Sequence, residues 1–346
     1  MPALPPPAAG SEEARALIAE HLRIARGVRC TSEDIVLTAG TSDGLGLLVH
    51  ALLDTRAGEV RIATENPGYP AARTVISRLG ATPIPIPVRD GGIDITALEQ
   101  APGPFGAALV TPSHQYPLGG RLPVAARLQL LEWAKRQEAI IIEDDYDSEF
   151  RHGAPSLPAI ASLDDAHRVV LVGSYSKTLS PWLRCGYLLV PDPQLRERII
   201  EARHDLAQPL SGIVQTALAE FLRIGGLRKH LVRVGREYAH RRTLVVDAMK
   251  DLVPRIALNA VEGGLHATLS WDGAPATHEI VEQLKREGVV VSPLTNYYYP
   301  DPPPPREGIV FGYGSPTDLQ VQTALRKIAS ALSELATEST QPTRPR

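Results

Sequence analysis

The stretch Ile141-Ile142-Glu143-Asp144-Asp145-Tyr146-Asp147-Ser148-Glu149-Phe150 passes abruptly from an apolar run to a run of carboxylates. Its apolar part begins at Ile140 and reads as a short, fully buried strand. Crowding acids at the end of such a strand is electrostatically costly unless a cation or a protonated heterocycle stands nearby. A magnesium or calcium site is one alternative, and a solvated acidic loop is another.

Outward from this segment, similar apolar runs recur at 34–38, 60–64, 83–88, 107–111, 168–172 and 187–190. Helical patterns separate many of them, notably Pro123–Glu138, and an amphipathic stretch at Glu12–Arg26 precedes them all. Strands alternating with helices over this length predict an α/β fold built on a large, mainly parallel sheet covered on both faces. Beyond Pro193 the pattern changes to helices over 193–206, 212–224 and 227–250. A smaller α+β unit then follows, with strands expected at 266–270, 289–292 and 309–311 and helices at 277–287 and 319–335. The expected organisation is an N-terminal arm and helix (1–30), a large domain (31–250), a small C-terminal domain (251–336) and a disordered tail (337–346).

The chain has 346 residues, 43% of them hydrophobic and 22% charged, which is ordinary for a globular protein with a core. A net charge of −3 gives no support to a nucleic-acid partner. Cys30 and Cys185 are the only cysteines, so neither a disulfide framework nor a cysteine-based zinc site is expected. The N-terminus lacks the basic and apolar regions of a secretory signal, and no run of about 18 apolar residues occurs. The expectation is a cytoplasmic protein without a membrane span or a bound metal.

Three further clusters fall after predicted strands, where open α/β sheets place their ligands. Gly40-Thr41-Ser42 lies between a strand and a helix, and such a turn either binds a phosphate or is an ordinary tight turn. Glu65-Asn66-Pro67-Gly68-Tyr69-Pro70 presents an aromatic ring, either to a planar ligand or to its own neighbours. Ser174-Tyr175-Ser176-Lys177-Thr178-Leu179-Ser180-Pro181-Trp182-Leu183-Arg184-Cys185-Gly186 combines a lysine suited to Schiff-base chemistry with serines and an arginine that can hold a phosphate.

These segments resemble the aminotransferase-like domain of fold-type I pyridoxal 5′-phosphate (PLP) enzymes, most closely the branch found in GntR/MocR-type proteins. The similar segments, in order, are RGVRCTSEDIVLTAGTSDGL (26–45), ENPGYP (65–70), TPSHQYPLG (111–119), IIEDDYDSEF (141–150), SYSKTLSPWLRCGY (174–187) and GGLHATL (263–269). They cover about residues 10 to 335. The resemblance implies that Lys177 forms the Schiff base and later moves a proton, and that Asp144 faces the pyridine nitrogen. It implies that Tyr146 bonds the phenolic oxygen and that Tyr69 stacks on the ring. Gly40, Thr41, Ser42, Ser174, Ser176 and Arg184 would hold the phosphate. It also implies a homodimer.

Departures from the family pattern bear on substrate and architecture. The winged helix-turn-helix of MocR-type regulators is expected to be lacking. Tyr116-Pro117-Leu118-Gly119 stands where many aminotransferases carry asparagine before Pro-Thr-Gly. Val310 stands where many carry an arginine for the substrate carboxylate, with Arg306 nearby but out of register. Arg73, His266 and Arg306 are the candidate substrate contacts. The expected function is that of a PLP-dependent enzyme acting on an amino acid or amine, most simply an aminotransferase. The alternatives are the amine- or PLP-sensing domain of a MocR-type regulator and a non-transaminating PLP enzyme.

Overall fold

The protein is described here from a computed structural model over residues 6–54, 58–152, 157–206, 210–252 and 255–338. The first five residues and the tail beyond 338 lie outside the described residues, so the expectation of a disordered tail falls largely outside them too.

The large sheet contains β1 (Ile35–Thr38), β2 (Arg61–Asn66), β3 (Thr82–Arg89), β4 (Gly92–Ile93), β5 (Ala107–Val110), β6 (Ile140–Asp145), β7 (Val169–Ser174) and β8 (Gly186–Leu189). Their order is β1-β8-β7-β6-β5-β2-β3-β4. The pairs from β3 through β2, β5 and β6 to β7 are parallel, whereas β8 runs antiparallel to both β7 and β1. Prolines 83, 85 and 87 of β3 alternate, so their missing N–H groups fall along one edge; beyond that edge only Val88 and Arg89 are paired, with β4.

The helices are α1 (Glu12–Arg26), α2 (Thr41–Leu53), α3 (Pro70–Arg78), α4 (Ile95–Gln100), α5 (Val124–Gln137), α6 (Ile160–Leu163), α7 (Tyr175–Thr178), α8 (Pro193–Leu206), α9 (Gly212–Arg223), α10 (Gly226–Met249), α11 (Thr277–Arg286) and α12 (Asp318–Glu338). Strand alternation explains how both faces of the sheet are used. Ile142 packs with Leu48 of α2, Ile76 of α3 and Ile199 of α8. Its neighbour Ile141 faces the other way, toward Leu130 and Trp133 of α5. On that second face α1 and α9 contribute Ile18, Leu22 and Leu218 against β1, β7 and β8.

The smaller sheet contains β9 (Ala257–Asn259), β10 (His266–Trp271), β11 (Ser292–Pro293) and β12 (Glu307–Gly312), in the antiparallel order β11-β12-β10-β9. It packs on α11, α12 and the C-terminal half of α10 through Val245, Ile280, Ile309 and Ile328. One strand differs from the sequence expectation. The run 289–292 is apolar, yet pairing with β12 begins only at Ser292, and Val290 stands 87% exposed. An apolar run supplies no strand without a neighbouring edge to bond to.

Candidate functional site

The C-terminal ends of β1, β2, β5, β6 and β7 share one edge of the large sheet. Because β8 is antiparallel, its first residue, Gly186, pairs with Ser174 at that same edge and brings Arg184 there. A cavity of about 230 Å³ opens at this edge, lined by Thr41, Ser42, Tyr69, Thr111, Tyr116, Asp144, Tyr146, Ser174, Ser176, Lys177, Pro181 and Arg184. The segments singled out in the sequence therefore converge. Thr111, Tyr116 and Pro181 were not singled out as site residues, although each lies inside a motif that was.

The acidic run is resolved residue by residue. Glu143 accepts from the backbone N–H groups of Ile160 and Ala161 at 3.1 and 2.9 Å. Asp145 forms a buried ion pair with Arg26 at 2.8 Å, on the face where α1 packs. Asp147 pairs with His114 at 2.8 Å and Glu149 with His21 at 2.7 Å. Asp144 points the other way, into the cavity, and its buried Oδ1 has no hydrogen-bond partner among the described residues. Burial, followed by the charges of Asp145, Asp147 and Glu65, pushes its carboxyl up to about 7. A buried acceptor of this kind calls for a donor with positive charge, and a protonated ring nitrogen is one.

At the opposite end Gly40 caps α2 with φ 102°, a conformation that favours glycine. A Cβ there would stand 3.8 Å from the Arg184 guanidinium, so the arginine lies directly over the helix N-terminus. Asp43 fixes this turn by accepting from Ala39 N–H at 2.8 Å and from the buried Arg203 at 3.0 Å. With Thr41, Ser42, Ser174 and Ser176 alongside, the donor set suits a phosphate. Lys177 stands on α7, exposed, and lines the same cavity. The site thus offers an anion cup, an amine and a lone buried carboxylate, a set that fits PLP.

The Tyr146 hydroxyl donates to the His114 carbonyl at 3.0 Å and lies 3.1 Å from His114 Nδ1. Burial opposes a charge on His114, but Asp147 outweighs it and raises the imidazole's pKa. Tyr116 meets Tyr69, Tyr146, His266 and Tyr297 in edge-on ring contacts, with centroids 5.0–6.1 Å apart.

Of the candidate substrate contacts, His266 lines an adjoining cavity, buried, with Nε2 3.1 Å from the Pro117 carbonyl. Arg73 and Arg306 are not among the residues lining either cavity. Arg73 donates to the Asn296 carbonyl at 2.9 Å and lies over the Tyr299 ring. Arg306 makes a two-pronged pair with Asp272 at 3.0 and 2.9 Å on the surface. Among the described residues His114, Asp147 and His266 lie close enough to share a metal ion, but the His114–Asp147 pair and the His266–Pro117 bond already engage them. Both cysteines are free and buried, and among the described residues no helix is long and apolar enough to cross a membrane.

Residues 3–326 match the family of aminotransferase class I and II. The chain belongs to this family. Its fold is that of the fold-type I aminotransferases, which use PLP. An archaeal alanine:glyoxylate aminotransferase superposes with a TM-score of 0.87 at 23% identity, covering 96% of this chain and 82% of that one. Among curated relatives, the HTH-type pyridoxine biosynthesis transcriptional regulator PdxR of Corynebacterium glutamicum is 40% identical over 94% of this chain and 69% of its own length. The 2-aminoadipate transaminase of Thermus thermophilus is 27% identical over 83% of this chain and 71% of its own. The chain spans about two thirds of the length of the regulators it matches, 63–69% among those of 30–40% identity.

Proposed function

We propose that this aminotransferase-like chain is an enzyme that holds PLP through Lys177 and acts on a primary amine or amino acid. The observation that carries the reading is the unpartnered, buried Oδ1 of Asp144 in the cavity that Lys177 also lines. When bound, the cofactor supplies an electron sink for the substrate carbon. In this reading Asp144 would keep the ring nitrogen protonated, the Tyr146 hydroxyl would turn its one proton from the His114 carbonyl to the phenolic oxygen, and Tyr69 would cover the ring. Gly40, Thr41, Ser42, Ser174, Ser176 and Arg184 hold the phosphate. Lys177 Nζ would be the group that takes the proton from the substrate carbon and returns it. Borohydride reduction of the PLP-loaded protein followed by peptide mapping tests this directly, with the label expected on Lys177. Mass spectrometry of mixtures with amines and amino acids then identifies a carbonyl product.

A second reading is favoured by the regulators, 30–40% identical, among the relatives. In it the same site recognises an amine and signals without turnover. Exchange of an amine at the cofactor with no carbonyl product would select it.

We also propose a homodimer. Light scattering of a clean monomer that still exchanges amines would overturn that assignment.

A further inference from the structure

A second cavity, of about 470 Å³, adjoins the first and shares Tyr116, Tyr146 and Lys177 with it. Its outer walls come from the small sheet and the segment before it, including Tyr297, Val310 and Phe311. We infer that it receives the body of a primary amine that carries no carboxylate on the reacting carbon, with an apolar or aromatic chain. This rests on the PLP reading of Lys177.

Charge selects this substrate class. Among the described residues lining this cavity, Lys177 is the only lysine or arginine, and the PLP reading commits it to the cofactor. His266 brings no positive charge, because burial, then His114, hold its imidazole neutral with a pKa of about 3, and Nε2 is engaged by Pro117. The cavity's one carboxylate, Asp147, is paired with His114. Neither candidate arginine lines this cavity: Arg306 is ion-paired with Asp272, and Arg73 donates to the Asn296 carbonyl and lies over the Tyr299 ring. A substrate carboxylate would be drawn from water beside Asp147 with no second lysine or arginine among the described lining residues to meet it. An uncharged chain meets Val310, Phe311 and the tyrosine rings, and the Tyr297 hydroxyl, which accepts from Tyr116, keeps its own proton for a neutral polar group.

With the cofactor bound, exchange would consume no oxidant: the incoming amine would replace the Lys177 nitrogen on the same carbon, and its two N–H hydrogens would pass to Lys177 Nζ. The test titrates the PLP-loaded full chain with matched pairs differing only by the carboxylate, 2-phenylethylamine against phenylalanine and hexylamine against 2-aminoheptanoate. Exchange is read from the visible spectrum. The amine of each pair is expected to exchange at a concentration at least about tenfold lower, equivalent to ~1.4 kcal/mol. Equal or tighter exchange by the amino acids, or exchange by neither member, overturns the inference. Borohydride labelling of Lys177 is read separately, so a failure of the PLP reading is distinguishable from a wrong substrate class. Val310→Arg, or Asn296→Arg at the exposed rim should the first not fold, is expected to narrow the preference by about tenfold. A folded variant with unchanged preference also overturns it.

Discussion

Asp144 and Asp145 are chain neighbours that face opposite sides of β6: Asp145 is held 2.8 Å from Arg26, whereas Asp144 reaches into the cavity with one oxygen unpartnered. Their amide variants should therefore diverge. Asp145→Asn leaves a buried guanidinium without its counter-ion and is expected to lower stability by roughly 3–5 kcal/mol, measured by urea unfolding. Asp144→Asn should instead abolish product formation while the fold persists.

Without cofactor, Asp144→Asn should also stabilise the protein at alkaline pH. The folded carboxyl sits at about 7 against an ordinary 3.8, so the folded state holds a proton that the unfolded chain releases between those values. That contribution is whole below about pH 4 and is lost as pH rises through 7. Thermal scans of the apo forms at pH 5 and 8 should show the variant gaining on the parent at the higher pH. Saturating PLP should reverse the gain.

Arg184→Gln should weaken PLP binding by about 10- to 100-fold, the loss expected for a charge-assisted hydrogen bond. Equilibrium dialysis gives the value. An unchanged affinity would remove Arg184 from the phosphate cup.

His266 and His114 predict opposite limbs of a stability–pH profile. The folded pKa of His266 is about 3 against an ordinary 6.5, so its share of stability is present above 6.5 and lost as pH falls toward 3. His114 is raised by Asp147, so its share is whole below 6.5 and lost as pH rises through the folded pKa. His266→Gln should flatten the acid limb by up to about 1.4 kcal/mol per pH unit, and His114→Gln the alkaline limb, both read from urea midpoints.

This chain alone should not bind duplex DNA specifically. Of the basic residues on and before α10, Arg223 is paired with Glu220 and Arg241 with Asp318, while Arg242 bonds the Val261 carbonyl. Fluorescence anisotropy at physiological salt is expected to show no sequence preference.

Much of the site was legible because its residues fall in strand-end motifs, and strand periodicity alone separates Asp144 from Asp145. The partners of the remaining acids were not legible. Arg26, His114 and His21 lie far away in sequence, and only the folding of α1 and the loop 111–119 against β6 brings them there. Tyr116 stood in view as a departure from the family pattern. Its place at the hub of four rings depends on contacts from β10 and the 294–297 turn that no local spacing encodes. Arg73 and Arg306 attracted notice by charge, but their partners Asn296, Tyr299 and Asp272 come from other elements.

The antiparallel course of β8 works as a caliper. Pairing of Ser174 with Gly186 closes the loop that carries both Lys177 and Arg184, so a single hairpin sets the span between that amine and that guanidinium. A slip of one residue would turn the whole β8 edge inside out, and the register is pinned where Tyr187 pairs with Gly173, since a Cβ at residue 173 would stand only 2.1 Å from the Tyr187 ring. The outer walls of the larger cavity belong to a different sheet and its approach. A substitution in β12 or the 294–297 turn can therefore reshape the larger cavity without touching the hairpin that carries Lys177 and Arg184.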